Sequence, residues 1–214
     1  GYMIWGSFRD WNPSQTIGEA EFVGLKNYIT LWGDPNFHES LGVTLKFAFF
    51  VVSIEMLLGV GLALLLDRDI RGISILRTMF ILPMMIAPVV VGLMWRYMYH
   101  PTVGTFNRFL DGVGLPTVDW LGQHALMSII IADIWQWTPF MMLIILAGLT
   151  SQPSDVLEAA RVDGASNRSI FFQITLPHLR PYLELGILLG SIYLIQVFDH
   201  VDVITGGGPD STNV

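Results

Sequence analysis

Polar side chains lie within stretches of this sequence that are otherwise apolar. Asp133, Gln136 and Trp137 follow one another at i, i+3 and i+4, a spacing that puts side chains on one helix face. Carboxylates and amides hydrogen-bond to hydroxyl groups, and aromatic rings stack on the C–H faces of sugars. Further residues of these types stand within or at the end of apolar stretches: Glu55, Tyr193, Gln196 and Asp199. We therefore expect these positions to line the pathway of a polar, hydroxyl-rich substrate.

Each of these residues also has a structural interpretation. Glu55 could simply bridge two helices, and Asp133 could extend toward the outer membrane surface. The tryptophans Trp135 and Trp137 could be packing residues rather than platforms for a sugar ring. The sequence leaves these alternatives open.

The sequence lacks the residue patterns of a catalytic site, a metal site or a nucleotide-binding loop. The chain has no cysteine, and His100, His124 and His200 do not have the spacing of metal ligands. The glycine run 206–208 is followed by Pro209 rather than by Lys and Ser or Thr, so it does not resemble a nucleotide-binding loop. We expect no catalytic site, no metal and no cofactor bound by this chain.

The composition is that of a protein in lipid. Only 14% of the residues are charged and 52% are hydrophobic, whereas about 25% charged residues are usual in a soluble domain. The formal net charge is −7, and there is no run rich in Lys or Arg. A surface that follows nucleic-acid phosphates is therefore excluded as the main function.

Four apolar stretches are long enough to cross the hydrocarbon core of a bilayer. They cover about residues 47–66, 78–95, 125–149 and 182–198, and residues 1–8 resemble the end of a further span. Backbone polar groups must be paired inside lipid, so each span is expected to be a helix. The sequence thus predicts an all-α membrane protein that crosses the bilayer several times.

The acidic residues inside these spans do not prevent insertion. Residues 47–66 contain thirteen Phe, Val, Ile or Leu residues, which together contribute about −6 kcal/mol against about +3 for the central Glu55. The same balance holds for Asp133. Three prolines interrupt the spans, Pro83, Pro88 and Pro139, and each either kinks a helix along the pathway or forms a mere packing kink.

The distribution of arginines predicts the orientation. Loops 67–77 and 150–181 hold six of them: Arg68, Arg71, Arg77, Arg161, Arg168 and Arg180. The longer segments on the other side hold only four Lys or Arg residues. Because cytoplasmic loops are enriched in basic residues, these two loops are expected to face the cytoplasm.

The second of these loops predicts a helix–turn–helix over residues 151–177. Ser154 is a favourable N-cap, and Gly164 can adopt the left-handed conformation that ends a helix. A second short helix is expected from about Ser166 until Pro177 ends it. Read without reference to any family, the segment is an amphipathic connector between two spans.

The same loop resembles the EAA loop of ATP-binding-cassette (ABC) importer permeases. The resemblance rests on the residues of that motif and on their spacing: Glu158, Ala159, Ala160, Gly164, Ile174, Leu176 and Pro177. Segments 22–28, 135–140 and 205–212 also resemble stretches of maltose-permease-like carbohydrate permeases. Members of that family normally have a complete span before and another after this region. We therefore expect residues 1–214 to form a single, truncated transmembrane domain.

The resemblance implies a helix bundle with a cytoplasmic pair of coupling helices. Such a pair docks on a cytoplasmic ATPase dimer, which binds the ATP, and its coupling residues here are those of the motif together with Asp163. Glu158 is expected to pair with a basic group of the ATPase, and Gly164 to set the angle between the helices.

The resemblance also implies a second permease subunit, an extracytoplasmic solute-binding protein and a location in the bacterial inner membrane. The expected substrate is neutral and polyhydroxylated, because the spans contain no cluster of cations. The alternative function is an ATP-independent secondary transporter or channel for a small polar solute.

Overall fold

Helices dominate the computed structural model, which describes residues 2–11, 20–67, 71–195 and 203–205. The helices are α1 (Tyr2–Gly6), α2 (Lys26–Trp32), α3 (Pro35–Leu66), α4 (Ile73–Ile81), α5 (Pro88–Met98), α6 (Thr105–Gly112), α7 (Ala125–Thr150), α8 (Ser154–Val162), α9 (Asn167–Ile170) and α10 (Leu176–Ile195). A 3₁₀ turn, Leu82–Met85, follows α4, and a π turn, Phe171–Thr175, joins α9 to α10. Two short antiparallel strands, β1 (Arg9–Asp10) and β2 (Glu21–Phe22), pair Arg9 with Phe22.

The core is formed where α3, α7 and α10 pack together. A Cβ atom added to Gly59 of α3 would lie 2.6 Å from that of Met141 on α7, so the two backbones approach closely there. One turn earlier, Glu55 of α3 lies beside Asp133 of α7, and α3 and α7 therefore run parallel. The end of α7 at Gly148 packs on the start of α10 at Tyr182, so α10 runs antiparallel to both.

Of the described residues, α3 and α7 are each long and apolar enough to cross a membrane. Helix α7 has almost the predicted limits, but α3 begins at Pro35, about three turns before the predicted start of its span. Asp34 caps α3 by accepting a hydrogen bond from the amide of Asn36 (2.9 Å), and Pro35 suits the first helical position. Helix α10 has more polar residues in its first turns and does not meet the same criterion.

Residues 78–95 were predicted to form one span, and the structure divides this stretch between two helices. Helix α4 with its 3₁₀ turn and helix α5 are two arms bent by 93°. The break falls at Ile86 and Ala87, both in extended backbone conformations, because Pro88 disfavours helix at the residue before it. Pro139, by contrast, lies inside α7 without ending it.

Aromatic residues hold together the segment between α5 and α7. Tyr99 stacks on Phe106 and Trp120, and its hydroxyl donates to the carbonyl of Ser128 (3.0 Å). Burial raises the pKa of Tyr99 above its ordinary value. Buried Asn107 bonds both the amide and the carbonyl of Val118, so this segment is fixed by specific contacts rather than by apolar packing alone.

Residues 22–28 are hydrogen-bonded to residues near the N-terminus. Gly24 has a φ of +57°, which makes the turn after β2. The amide of Asn27 donates to the carbonyls of Ser7 and Arg9, and the hydroxyl of Tyr28 bonds that of Ser7 (2.6 Å). The glycine, asparagine and tyrosine of this segment therefore each have a local structural role.

Candidate functional site

Two buried acids from different helices face each other within the core. Glu55 of α3 and Asp133 of α7 are 2% and 1% exposed and are close enough to interact electrostatically. Asp133 is therefore directed into the bundle, and the alternative that it extends toward the outer membrane surface is wrong. Glu55 does join two helices, as one interpretation held, but through another acid rather than through a base.

Aromatic side chains of α7 and α10 complete the wall around these acids. Trp137 and Tyr193 stack with ring centroids 5.5 Å apart and an interplanar angle of 16°. Phe140 meets Tyr193 edge-on at 5.8 Å. Carboxyl oxygens beside flat aromatic faces are the combination that binds hydroxyl groups and C–H faces of a sugar.

The cavity between these residues is small. Its volume is about 20 Å³, and Gly190, Met141 and Leu194 complete its lining. A volume of this size holds about one water molecule, whereas sites for small organic ligands measure roughly 300 Å³ or more. A sugar could enter only if α7 and α10 moved apart.

Gln136 and Trp135 point away from this cavity. The amide of Gln136 donates to the carbonyl of Ile86 at the break between α4 and α5 (2.9 Å). Trp135 meets Trp95 edge-on at 5.8 Å and lines a separate apolar hollow of about 710 Å³. The i, i+3, i+4 spacing thus brings Asp133 and Trp137 together, while Gln136 faces a different element. Gln196 and Asp199 lie outside the described residues.

The predicted coupling pair lies at the end of the bundle where α3 and α7 finish and α10 begins. Helix α8 ends in a Schellman motif: the amide of Ala165 donates to the carbonyl of Ala160 (3.0 Å), and Gly164 has a φ of +79°. The predicted stop at Gly164 is confirmed. The predicted N-cap is wrong, since Pro153 occupies that position and Ser154 is the first helical residue.

The second helix, α9, begins at Asn167, close to the predicted start at about Ser166. The side chain of Ser166 caps it by accepting from the amide of Ser169 (3.2 Å). Pro177 does not end that helix, however. The π turn of residues 171–175 widens the helix before the proline and relieves its clash with the preceding turn, so the chain continues into α10.

The coupling residues divide into an exposed set and a packed set. Glu158, Ala159, Asp163, Gly164 and Pro177 are exposed, whereas Ala160, Ile174 and Leu176 are half-buried. The exposed set is available to a partner, and the half-buried set contacts the rest of the chain.

A cluster of hydrogen bonds that the sequence did not reveal joins the end of α7 to the start of α10, the two helices between which this pair lies in the chain. Ser151, directly after α7, bonds the hydroxyl of Tyr182 (2.8 Å) and Nε2 of His178 (3.2 Å) on α10. Its hydroxyl also donates to the carbonyl of Gly148 (2.8 Å). A Cβ atom on Gly148 would lie only 2.7–2.8 Å from Leu179 and Tyr182. We call Gly148, Ser151, His178, Leu179 and Tyr182 the inner clamp.

A family model described as the binding-protein-dependent transport system inner membrane component matches residues 55–213. The chain belongs to this family, whose members are transport proteins rather than enzymes. Its core fold is an all-α helix bundle of the importer-permease type, as the sequence predicted.

Two relatives are named for sugar transport. A trehalose/maltose transport system permease protein of Thermococcus litoralis is 42% identical over 90% of this chain and 66% of its own length. A trehalose transport system permease protein of Mycobacterium tuberculosis is 34% identical over 100% of this chain and 69% of its own length. The chain thus spans about two thirds of the length of these relatives.

A relative with a differently named substrate and a solved structure complete the comparison. A sn-glycerol-3-phosphate permease of Agrobacterium fabrum is 34% identical over 89% of this chain and 66% of its own length. The structure of a bacterial ABC transporter that imports the acidic polysaccharide alginate has a TM-score of 0.81 at 22% identity, covering 99% of this chain and 72% of that one. This similarity defines the fold alone.

Proposed function

We propose that this chain is a transmembrane permease subunit of an ATP-driven ABC importer for a sugar, oligosaccharide or sugar alcohol. The observation that carries the proposal is that the same two helices connect the predicted coupling pair to the cavity. The two helices whose inner ends join the coupling pair, α7 and α10, are also two of the helices that enclose the cavity around Glu55 and Asp133. Movement at the coupling pair is therefore movement of the cavity walls.

The exposed part of α8 supports the coupling role. Val162 is 87% exposed, and Glu158 and Ala159, which lie one turn before it in the same helix, are exposed as well. Small side chains allow another protein to approach closely, and Glu158 presents a carboxylate to a basic group of an ATPase. ATP is then bound by the ATPase dimer and not by this chain.

The inner clamp supports transmission of that movement. Ser151 and Tyr182 connect the end of α7 to the start of α10 by a hydrogen bond, so a displaced coupling pair pulls on both helices. Helix packing of this kind has discrete alternatives, and ATP-driven closure would select the arrangement in which the cavity is open. A second permease subunit supplies the other half of the pathway.

The chemistry of the cavity supports a neutral, polyhydroxylated substrate. Among the described lining residues, two are acidic and none is Lys, Arg or His. The described lining offers no cation to pair with an anionic group, whereas its carboxyl oxygens can accept hydrogen bonds from sugar hydroxyls. An extracytoplasmic solute-binding protein delivers such a substrate to this permease in the inner membrane.

Charge reversal at Glu158 tests the coupling role. In the complete transporter, Glu158→Lys should abolish most sugar uptake and the associated ATP hydrolysis, because the basic partner is now repelled. The thermal midpoint should stay unchanged, since Glu158 is exposed. The matched control is Glu184→Lys, an exposed acid on α10 whose ion pair with Arg180 (2.8 Å) is a surface contact.

Normal uptake by Glu158→Lys would contradict the proposed docking role. The competing function, an ATP-independent transporter or channel, predicts that no ATPase copurifies with the chain and that both charge reversals are harmless.

A further inference from the structure

The break between α4 and α5 leaves the carbonyl of Ile86 outside the helical hydrogen-bond ladder. In an unbroken helix the amide of Val90 would donate to the carbonyl of Ile86, but here it donates to that of Ala87 (2.9 Å). Pro88 has no amide to offer. Inside a bilayer there is no water to pair with this carbonyl, so another part of the protein must supply a donor.

Gln136 supplies that donor from α7. Its Nε2 lies 2.9 Å from the oxygen of Ile86, and the residue is only 1% exposed. Within one turn, helix α7 therefore presents residues that line the cavity and a residue that bonds the break between α4 and α5. Asp133 and Trp137 line the cavity with Glu55, while Gln136, between them in sequence, fixes the broken span.

We propose that Gln136 is a positioning residue of the transport pathway rather than a ligand of the substrate. It holds the two arms, α4 with its 3₁₀ turn and α5, at a fixed angle against α7, and so links the bent segment to the helix that lines the cavity. The proposal rests on the proposed function for its transport consequence, but the angle itself does not depend on what is transported.

The angle can be measured with two spin labels. Leu76 on α4 and Leu93 on α5 are both exposed, and residues 1–214 contain no cysteine. Leu76→Cys with Leu93→Cys therefore gives one defined pair once any cysteines elsewhere in the complete transporter have been replaced by serine. We expect one narrow distance distribution with Gln136 and a broad or shifted one with Gln136→Met, which keeps the length but lacks the donor.

Thr138→Val is the matched control. Thr138 is also buried on α7, and its hydroxyl has no hydrogen-bond partner among the described residues. Removing that hydroxyl should leave the distance distribution unchanged. If Gln136→Met does not accumulate, Gln136→Asn replaces it, since an amide shortened by one methylene cannot reach the carbonyl of Ile86.

Transport kinetics separate positioning from substrate contact. For Gln136→Met we expect the maximal uptake rate to fall by about fivefold while the half-saturating sugar concentration changes less than about twofold. An unchanged distance distribution, or a large rise in half-saturating concentration at an unchanged maximal rate, would overturn the proposal. If the parent transporter shows no ATP-dependent uptake, the proposed function is refuted, but the measured angle between α4 and α5 remains valid.

Discussion

Single residues of α7 have different roles despite their close spacing. Asp133 faces Glu55 across the cavity, and Trp137 stacks on Tyr193 of α10. The sequence predicted that the polar residues within the spans would line a substrate pathway, because polar residues inside a membrane are costly and mark functional sites. It could not predict that Gln136 bonds the backbone at Ile86, because helical spacing alone does not identify the neighbour of each residue.

At the residue scale, replacing one of the two facing carboxyl groups tests the cavity. Asp133→Asn keeps the shape of the side chain but weakens an acceptor for substrate hydroxyls. A charged hydrogen bond is worth about 1.5–3 kcal/mol, so the half-saturating sugar concentration should rise by about one to two orders of magnitude. Uptake kinetics measured at several sugar concentrations would show this.

The thermal midpoint of Asp133→Asn should change little, because asparagine keeps the size of the side chain and can still hydrogen-bond Glu55. Glu39→Gln, on an exposed part of α3, is the control. Unchanged kinetics for Asp133→Asn would remove Asp133 from the proposed pathway.

At the scale of elements, apolar length identified the helices better than it identified their ends and bends. The extension of α3 back to Pro35 was missed because residues 35–46 are too polar for a bilayer core, although Asp34 and Pro35 carry a helix-start signal. Pro88 breaks the second span, whereas Pro139 and Pro177 are accommodated within longer helical runs. Proline alone therefore did not determine which helices would bend.

The inner clamp is the element-scale feature that is most easily tested. Gly148→Ala places a Cβ atom 2.7–2.8 Å from Leu179 and Tyr182, and overpacking of this kind destabilises by about 1–3 kcal/mol. We expect a lower thermal midpoint and weaker coupling of ATP hydrolysis to uptake.

Gly61→Ala is the matched control for Gly148→Ala. Gly61 lies within α3, and an added Cβ atom there would meet nothing within 4 Å. Alanine is favoured over glycine in helices by about 1 kcal/mol, so this variant should be as stable as the parent or more so. Equal behaviour of the two variants would show that the close approach at Gly148 is unimportant.

At the scale of the whole molecule, the arrangement places the two proposed functional regions on the same helices. The predicted coupling pair lies between the end of α7 and the start of α10, and the acidic, aromatic cavity lies further along both helices. The composition and the EAA resemblance predicted the class of fold, and the coupling role of the loop stays a prediction. The parallel packing of α3 on α7, which brings Glu55 to Asp133, depends on long-range contacts that no local pattern encodes.

The most direct test is accumulation of a neutral disaccharide in proteoliposomes that contain the complete transporter with its ATPase, second permease and binding protein. Our account predicts uptake against a concentration gradient only when ATP is present on the ATPase side, and loss of that uptake in Glu158→Lys. Equal uptake without ATP, or equilibration without accumulation, would contradict it.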